Sequence, residues 1–235
     1  RSNLLFTLKE GQNVVVCTSS IAGEGKTFIS SNLAMSLAIL GKKVLLVGLD
    51  IRKPRLQGIF SLGEQKIGIT NLLRLENPSW EEIKGQILPS GKHDNLLVMP
   101  SGPIPPNPTE IIARKSLDHI IDTAKAHFDY VIIDSAPVGL VPDTVSIARV
   151  SDATVFVCRA DYTPKRDFDI INTLTAEDRL RNVSIVINGI DMSKKRYGYY
   201  YGYGHYGYGH HSYGYGGYRY GYDNYGDKDD KSIKK

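Results

Sequence analysis

Short apolar runs alternate along the chain with segments of helical polarity. The runs are rich in Val, Ile and Leu, a composition typical of strands that a sheet buries on both faces. They lie at Val14–Cys17, Val44–Val47, Leu96–Met99, Val131–Ile133, Thr154–Val157 and Ser184–Ile187. Helical patterns lie at residues 27–40, 110–126, 143–149 and 165–178, with two short ones within 68–84. The alternation predicts an α/β fold with a mostly parallel central sheet flanked by helices on both faces.

Two local features refine this prediction. The Pro-rich stretch Gly102–Pro108 cannot form regular structure, and we expect Thr109, which follows it, to cap the next helix. Cys17 and Cys158 lie in apolar stretches, which indicates small buried core residues rather than a redox or metal site.

The composition changes sharply after Ser193. Residues 194–235 contain 13 of the 15 tyrosines and ten glycines, but Ile233 is their one aliphatic residue. A segment so poor in aliphatic side chains cannot bury enough surface to fold alone. We therefore predict a folded domain at residues 1–193 and a disordered Gly/Tyr-rich tail at residues 194–235.

Charge is informative once it is divided at the same boundary. Residues 194–235 carry eight Lys and Arg against four Asp, which leaves 21 charges of each sign in residues 1–193. The folded part therefore has no basic excess of the kind that favours nucleic acid, and we expect no nucleic-acid partner. No apolar run is long enough to span a membrane, so we expect these residues to be soluble. Because the sequence begins at Arg1 rather than Met, we expect it to be part of a longer or processed chain.

The segment Ser20–Thr27 follows the first apolar run and opens the first helical pattern. Glycines in such a loop let backbone N–H groups converge on phosphates at a helix N-terminus. Lys26 is placed to neutralise the β- and γ-phosphates, and the hydroxyl of Thr27 to bind Mg²⁺. The context predicts a P-loop NTPase that binds ATP and Mg²⁺. The expected nucleotide contacts are Ser20, Ala22, Gly23, Glu24, Gly25, Lys26, Thr27 and Phe28.

Two carboxylates follow other predicted strands. Asp134 ends the run that begins at Val131, and Asp50 comes shortly after the second run. The carboxyl ends of parallel strands meet beside a phosphate loop, so Asp134 is predicted to hold Mg²⁺ together with Thr27. We predict catalytic roles for Lys26 and Asp134.

Several of these motifs together resemble the bacterial tyrosine kinases. The resemblance lies in the Ser-Ser-x-x-Gly-Glu-Gly-Lys-Thr loop, in Asp50-Ile51-Arg52 after an apolar strand, in Asp134-Ser135-Ala136-Pro137, and in the stretch from Ser101 to Glu110. It spans residues 1–193, and the tyrosine-rich tail completes it. Two positions depart from the family pattern. Gly48 stands where the family has the first of two Asp residues, and Ala22 stands where the loop often has Pro.

The resemblance implies an ATP-dependent protein-tyrosine kinase that phosphorylates its own tail. It also implies catalytic roles for Asp50 and Arg52 and a metal-binding role for Asp50. A turn or capping role for Asp50 and an ordinary surface salt bridge for Arg52 are the alternatives. Asp50 is then the candidate base, because the attacking phenol, with an ordinary pKa of about 10, must lose its proton. The predicted phosphoacceptors are Tyr197, Tyr199, Tyr200, Tyr201, Tyr203, Tyr206, Tyr208, Tyr213, Tyr215, Tyr218, Tyr220, Tyr222 and Tyr225. A Gly-Tyr tract also suits adhesion, condensation or stacking on nucleic acid. His205, His210 and His211 invite a metal hypothesis, but no acidic or Cys partner is suitably spaced, and we expect them to be solvated.

The resemblance further implies partners and a location. Family members form ring-like homo-oligomers in which one subunit's tail enters a neighbour's site. They attach to a membrane-spanning activator domain or protein, are opposed by a tyrosine phosphatase, and regulate exopolysaccharide or capsule synthesis at the cytoplasmic face of the bacterial inner membrane. A Glu-x-x-Arg-x-x-Arg motif mediates ring contacts in the family, and Arg1 matches only its last residue. We therefore expect weak or absent ring formation.

Two other functions compete with the kinase. A partitioning or septum-positioning ATPase of the same fold, similar to ParA or MinD, uses water as the acceptor. Such proteins carry a second lysine early in the loop, where this chain has Ser20 and Ile21. The other alternative is a nucleotide-gated scaffold without kinase activity. The adenine contact is open, since Asn188 at the end of the last apolar run fits a turn residue better than a base contact.

Overall fold

A computed structural model of the chain describes residues 8–63, 66–139 and 143–191. The chain divides into two units, residues 1–193 and 194–235, and the described residues all belong to the first. The thirteen predicted acceptor tyrosines, the three tail histidines and Arg1 lie outside the described residues. Their roles stay predictions.

Seven strands form one sheet within the described part of the chain. They are β1 Val14–Ser19, β2 Val44–Gly48, β3 Leu88–Pro89, β4 Leu96–Met99, β5 Tyr130–Asp134, β6 Ala153–Arg159 and β7 Val183–Asn188. Their order across the sheet is β3-β4-β2-β5-β1-β6-β7, and every neighbouring pair is parallel except β3 with β4. The predicted mostly parallel α/β architecture is confirmed.

Helices connect the strands as the polarity pattern predicts. Those of the described ranges are α1 Lys26–Ile39, α2 Leu56–Ile59, α3 Ile69–Leu72, α4 Trp80–Lys84, α5 Pro108–Ala113, α6 Ser116–His127, α7 Asp143–Ala148 and α8 Asp167–Ala176. The longest of them, α1, begins directly after the phosphate loop.

The core lies on both faces of the sheet, because alternate residues of each central strand point in opposite directions. Val14 and Val16 of β1 face the layer that contains Ile120 and Ile121 of α6. Val15 and Cys17 of the same strand face the layer that contains Leu37 of α1. Cys17 and Cys158 are buried free thiols, as predicted.

The predicted helix at residues 110–126 is wrong, because the structure divides it into α5 and α6. Arg114, between them, has an extended backbone with ψ of 149°. The guanidinium of Arg149 donates hydrogen bonds to the carbonyl groups of Ile112 and Arg114, which satisfies acceptors at the end of α5. Thr109 is not the helix cap, since α5 begins at Pro108 with Asn107 in the capping position.

The last strand differs from its prediction as a doubly buried strand. β7 is an edge strand in the described sheet, with β6 as its neighbour. The side chains of Ile185 and Ile187 are 48% and 56% exposed. An apolar run predicts a strand here but does not reveal that one of its faces lacks a covering helix. The two-residue strand β3 and the four-residue helix α2 are too short to give a recognisable pattern, and the sequence did not predict them.

Candidate nucleotide and phosphoryl-transfer site

The carboxyl ends of β1, β2 and β5 meet at one edge of the sheet. Asp134 is in register with Cys17 of β1 on one side and with Gly48 of β2 on the other. Its backbone carbonyl accepts hydrogen bonds from the N–H groups of Leu49 and Asp50 at 2.8 and 2.9 Å. The main chain of β5 therefore fixes Asp50 beside the side chain of Asp134, at the carboxyl ends of the strands.

The phosphate loop depends on glycine at two positions. Gly23 and Gly25 have φ angles of 90° and 91°, a left-handed conformation that strains other residues. A Cβ at Gly23 would lie 2.9 Å from the hydroxyl of Tyr162, and a Cβ at Gly25 would overlap the side-chain amide of Asn188. The loop thus delivers its backbone to the N-terminus of α1 in the manner of a phosphate cradle.

Glu24 braces this loop from inside. Its side chain is fully buried, and its carboxylate accepts hydrogen bonds from the hydroxyl of Ser20 at 3.0 Å and the N–H of Ile21 at 2.8 Å. The hydroxyl of Thr163 donates a third. The predicted nucleotide contacts Ser20 and Glu24 therefore direct their side chains to each other, so any contact with a nucleotide falls to their backbones.

Three side chains from β6, the turn after it and β7 hold the outer side of the loop. The hydroxyl of Tyr162 donates to the carbonyl of Ala22 at 2.9 Å, and Arg159 donates to that of Gly23 at 3.1 Å. Asn188 donates to the carbonyl of Glu24 at 2.9 Å. Arg159 and Tyr162 belong to no motif, so the sequence does not predict them. Asn188 is distinguished in the sequence only by its place at a strand end, and the adenine contact stays open.

Lys26 forms a buried ion pair with Asp50. Its Nζ lies 2.9 Å from Asp50 Oδ2 and 4.0 Å from Asp134 Oδ1. The other oxygen of Asp50 accepts the backbone N–H of Lys53 at 3.1 Å. Both oxygens of the candidate base are therefore engaged, and the lysine expected at the phosphates is held by a carboxylate of the same site.

Asp134 is almost fully buried beside this pair. Burial raises the pKa of its carboxyl to about 6, and the charge of Asp50 adds to this shift. The charge of Lys26 and hydrogen bonds from Thr27 and Ser30 oppose it. The site therefore holds a carboxylate that a nearby cation would stabilise in its charged form.

Arg52 pairs with Asp143, a residue that belongs to no sequence motif of the site. Its Nε lies 2.6 Å from Asp143 Oδ2, and another guanidinium nitrogen donates to the hydroxyl of Thr109 at 2.7 Å. Thr109 in turn donates to Asp143, which is fully buried. The hydrogen bonds to Asp143 raise the pKa of Arg52. Arg52 therefore forms a salt bridge, as the alternative to a phosphate contact expects, but its partner is buried. A contact of Arg52 with a phosphate stays a prediction.

The remaining predicted residues surround a cavity of about 440 Å³. Ala22 and Gly23 line it with Lys26, Asp50, Arg52, Lys53, Arg55, Ala136 and Pro137. Phe28, in the first turn of α1, is 60% exposed. The cavity lies where a nucleotide would meet both the phosphate loop and Asp50.

The side chains present fit a magnesium ion. Mg²⁺ commonly takes one or two carboxylates together with waters and substrate phosphates. Thr27, Asp50 and Asp134 surround Lys26 and supply a hydroxyl and two carboxylates. In the described ranges no cluster of three or more His, Cys, Asp and Glu could hold a metal by itself. A site of this kind needs the phosphates of a nucleotide to complete it.

Residues 12–176 match the family model described as an AAA domain. The tyrosine-protein kinase CpsD of Streptococcus agalactiae is 34% identical over 87% of this chain and 86% of its own length. The tyrosine-protein kinase YwqD of Bacillus subtilis is 35% identical over 85% of this chain and 83% of its own.

Solved structures agree with these relatives. The chimerical protein CapA2B2 is 31% identical with a TM-score of 0.72, and the match covers 81% of each chain. The kinase domain of VpsO is 28% identical with a TM-score of 0.71, covering 81% of this chain and 91% of that one. The septum site-determining protein MinD of Pyrococcus horikoshii, complexed with Mg-ADP, is 20% identical with a TM-score of 0.61, which shows a common fold alone.

No helix in the described residues is both long and apolar enough to cross a membrane.

Packing leaves little room for a side chain at Gly48, the position that departs from the family's Asp-x-Asp motif. A Cβ at Gly48 would lie 3.0 Å from Ser101 Oγ and 3.2 Å from Leu56 Cδ1. The same Ser101 hydroxyl donates to the carbonyl of Gly48 at 2.8 Å. An acid at this position would therefore require two buried neighbours to shift by a few tenths of an ångström.

We predict that Gly48→Asp lowers the free energy of unfolding by about 1–3 kcal/mol, because it overpacks the end of β2. Adding Ser101→Ala should recover part of the loss, since it removes the nearest contact. The control is Gly58→Asp, where a Cβ meets nothing within 4 Å, and we expect a change within about 0.5 kcal/mol. Urea unfolding measures all three. Equal stabilities of the Gly48 and Gly58 variants would contradict the packing argument.

Asp134 predicts a pH dependence of stability in the nucleotide-free protein. Because burial raises its folded pKa from 3.8 to about 6, the folded state holds this proton more tightly than the unfolded state. Its contribution to the free energy of unfolding therefore falls as pH rises from about 4 to about 6 and is lost above that range. Asp134→Asn keeps the side chain neutral, so it should gain up to about 3 kcal/mol over the wild type across the same interval.

Urea unfolding at about pH 4 and about pH 7.5 checks this difference. Asp122→Asn, which removes an exposed carboxylate from α6, controls for the loss of one charge. A stability difference between Asp134→Asn and the wild type that stays constant with pH, or changes with the opposite sign, would refute it.

Proposed function

This chain belongs to the family of bacterial tyrosine-protein kinases, and from that premise we propose that it transfers the γ-phosphate of ATP to tyrosines of its own carboxyl-terminal tail. The observation that carries the proposal is the arrangement of Lys26 and Asp50, an ion pair that faces the cavity beside the phosphate loop. Within this one pair, Lys26 supplies a cation for the phosphates and Asp50 supplies a carboxylate for the acceptor tyrosine.

ATP enters with its phosphates against the backbone at the N-terminus of α1. Lys26 then exchanges Asp50 for the β- and γ-phosphate oxygens, where its charge offsets the charge that develops during transfer. Thr27, Asp50 and Asp134 would hold Mg²⁺, which would screen the phosphate charge further. The exchange frees one oxygen of Asp50 and leaves its other oxygen on the N–H of Lys53.

Asp50 is the group proposed to receive the proton of the acceptor. The phenol oxygen attacks the γ-phosphorus and the bond from that phosphorus to the β-phosphate oxygen breaks, so its electron pair leaves with ADP. The phenol proton passes to the freed oxygen of Asp50. No covalent enzyme intermediate is needed, since positioning and charge neutralisation account for most of the catalysis in phosphoryl transfer.

The tail is the proposed acceptor, because residues 194–235 contain 13 of the 15 tyrosines. Each phosphate adds about −1.5 to −2 charges, so modification turns a basic segment into a strongly acidic one. As the family resemblance implies, this change of charge would control assembly with other subunits and with a membrane-spanning activator, and thereby exopolysaccharide or capsule synthesis at the inner membrane. A tyrosine phosphatase would reset it.

We predict that Lys26→Met lowers tyrosine phosphorylation of the tail by at least about 100-fold, because it removes the cation that stabilises the transferring phosphoryl group. Incubation of the full chain with Mg²⁺ and labelled ATP, followed by phosphopeptide mapping, measures the effect. Lys42→Met is the control, since Lys42 is exposed just before β2, at the opposite end of that strand. Phosphate release without labelled tyrosine would favour the ATPase, and neither activity would favour the scaffold; both outcomes contradict the proposal.

A further inference from the structure

We propose that Lys53 and Arg55 form a basic rim on the cavity that directs phosphorylation first to the tyrosines with acidic neighbours, Tyr222 and Tyr225. The inference rests on the proposed tyrosine transfer to the tail and specifies which acceptors the site prefers. It is carried by the charges around the cavity and by the distribution of charge along the tail sequence.

Four cationic side chains line the cavity, and two of them are already engaged. Lys26 pairs with Asp50, and Arg52 pairs with Asp143. Lys53 and Arg55 are exposed, and neither forms an ion pair with any residue that the structure describes. The rim therefore presents two positive charges to whatever approaches the open side of the site.

Lys53 lies next to the candidate base. Its backbone N–H donates to Asp50 Oδ1 at 3.1 Å, so the turn that places Asp50 also places Lys53. Arg55 follows two residues later, in the capping position of α2. A tyrosine whose hydroxyl reaches Asp50 must therefore pass its flanking residues close to this pair of cations.

The tail distributes its charges unevenly. Its basic residues near the start, Lys194 to Arg196, flank Tyr197, and Arg219 lies beside Tyr218 and Tyr220. All four acids, Asp223, Asp227, Asp229 and Asp230, lie near the end, and so do the other four basic residues, Lys228, Lys231, Lys234 and Lys235, each at least three residues from any tyrosine. Only Tyr222 and Tyr225 have an acid within two residues.

An acid one or two residues from an acceptor at the site stays near the rim, because an extended chain advances at most about 3.3–3.6 Å per residue and the acid lies within about 7 Å of the acceptor along the chain. At physiological ionic strength the Debye length of about 8 Å screens part of this attraction, and at low ionic strength the screening is much weaker. Basic flanks reverse the sign, which disfavours Tyr197.

The expected size of the preference follows from exposed ion pairs. One such pair, for Tyr222 with Asp223, corresponds to about a 1.4-fold to fivefold preference, and two pairs, for Tyr225 with Asp223 and Asp227, to about a twofold to thirtyfold preference. At low ionic strength, initial phosphorylation rates at Tyr222 and Tyr225 should exceed those at Tyr199 and Tyr203, which have no charged neighbour within two residues, by these factors. Raising the salt to about 0.5 M should shrink the ratio towards one.

The experiment follows phosphate incorporation at each tyrosine of the full chain over the first turnovers by quantitative phosphopeptide mapping. Lys53→Gln with Arg55→Gln should abolish the preference, and so should Asp223→Asn with Asp227→Asn, which leaves the folded domain intact. The matched control is Lys42→Gln with Lys92→Gln, which removes two exposed cations that precede β2 and β4. It should keep the wild-type ratio.

A preference that survives in either the rim or the tail variant would overturn the proposal. So would a rim variant that raises the ATP concentration needed for half-maximal rate but leaves the ratio among tyrosines unchanged, since that result assigns Lys53 and Arg55 to the nucleotide. If the rim variant loses all activity, the tail variant still decides. Absence of phosphotyrosine throughout the wild-type tail would instead refute the kinase proposal itself.

Discussion

The buried ion pair between Lys26 and Asp50 is the interaction on which the site depends. It joins the first turn of α1 to the loop after β2, and the carbonyl of Asp134 holds that loop in place. Removing one partner of a buried pair leaves an unpaired charge, which is strongly destabilising. The nucleotide-free site is therefore stabilised by a contact that catalysis has to exchange, and the phosphates of ATP are the groups that can replace Asp50 at Lys26.

Glycine rather than an acid at position 48 is consistent with the charges around Lys26. Two carboxylates face Lys26, and burial already disfavours the charged form of Asp134. Ser101 and Leu56 close the position where a third acid would stand. Asp50 is left as the one acid of its motif, and the proposed mechanism assigns it two duties in sequence. It holds Lys26 before ATP binds and receives the proton of the acceptor afterwards.

Most of the strands, their mostly parallel arrangement and the phosphate loop could be predicted from the sequence because apolar runs and glycine spacing are local patterns. The partners of the site residues could not. Arg52 looked like a phosphate ligand or a surface cation, and its buried partner Asp143 is 91 residues away. Tyr162 and Arg159 support the loop from a turn without any motif. The sequence motif predicts that Glu24 contacts the nucleotide, but its side chain is buried inside its own loop. Such contacts depend on tertiary packing, which no single-sequence pattern encodes.

The most direct test of this account compares Asp50→Asn with the wild type in two measurements, ATP binding without Mg²⁺ and tyrosine transfer with it. If Asp50 holds Lys26 until the nucleotide arrives, the variant frees Lys26 and binds metal-free ATP several-fold more tightly, by about 1 kcal/mol or more. If Asp50 also receives the proton, transfer to the tail falls by about 100-fold or more. Weaker metal-free binding together with unchanged tyrosine phosphorylation would contradict both roles.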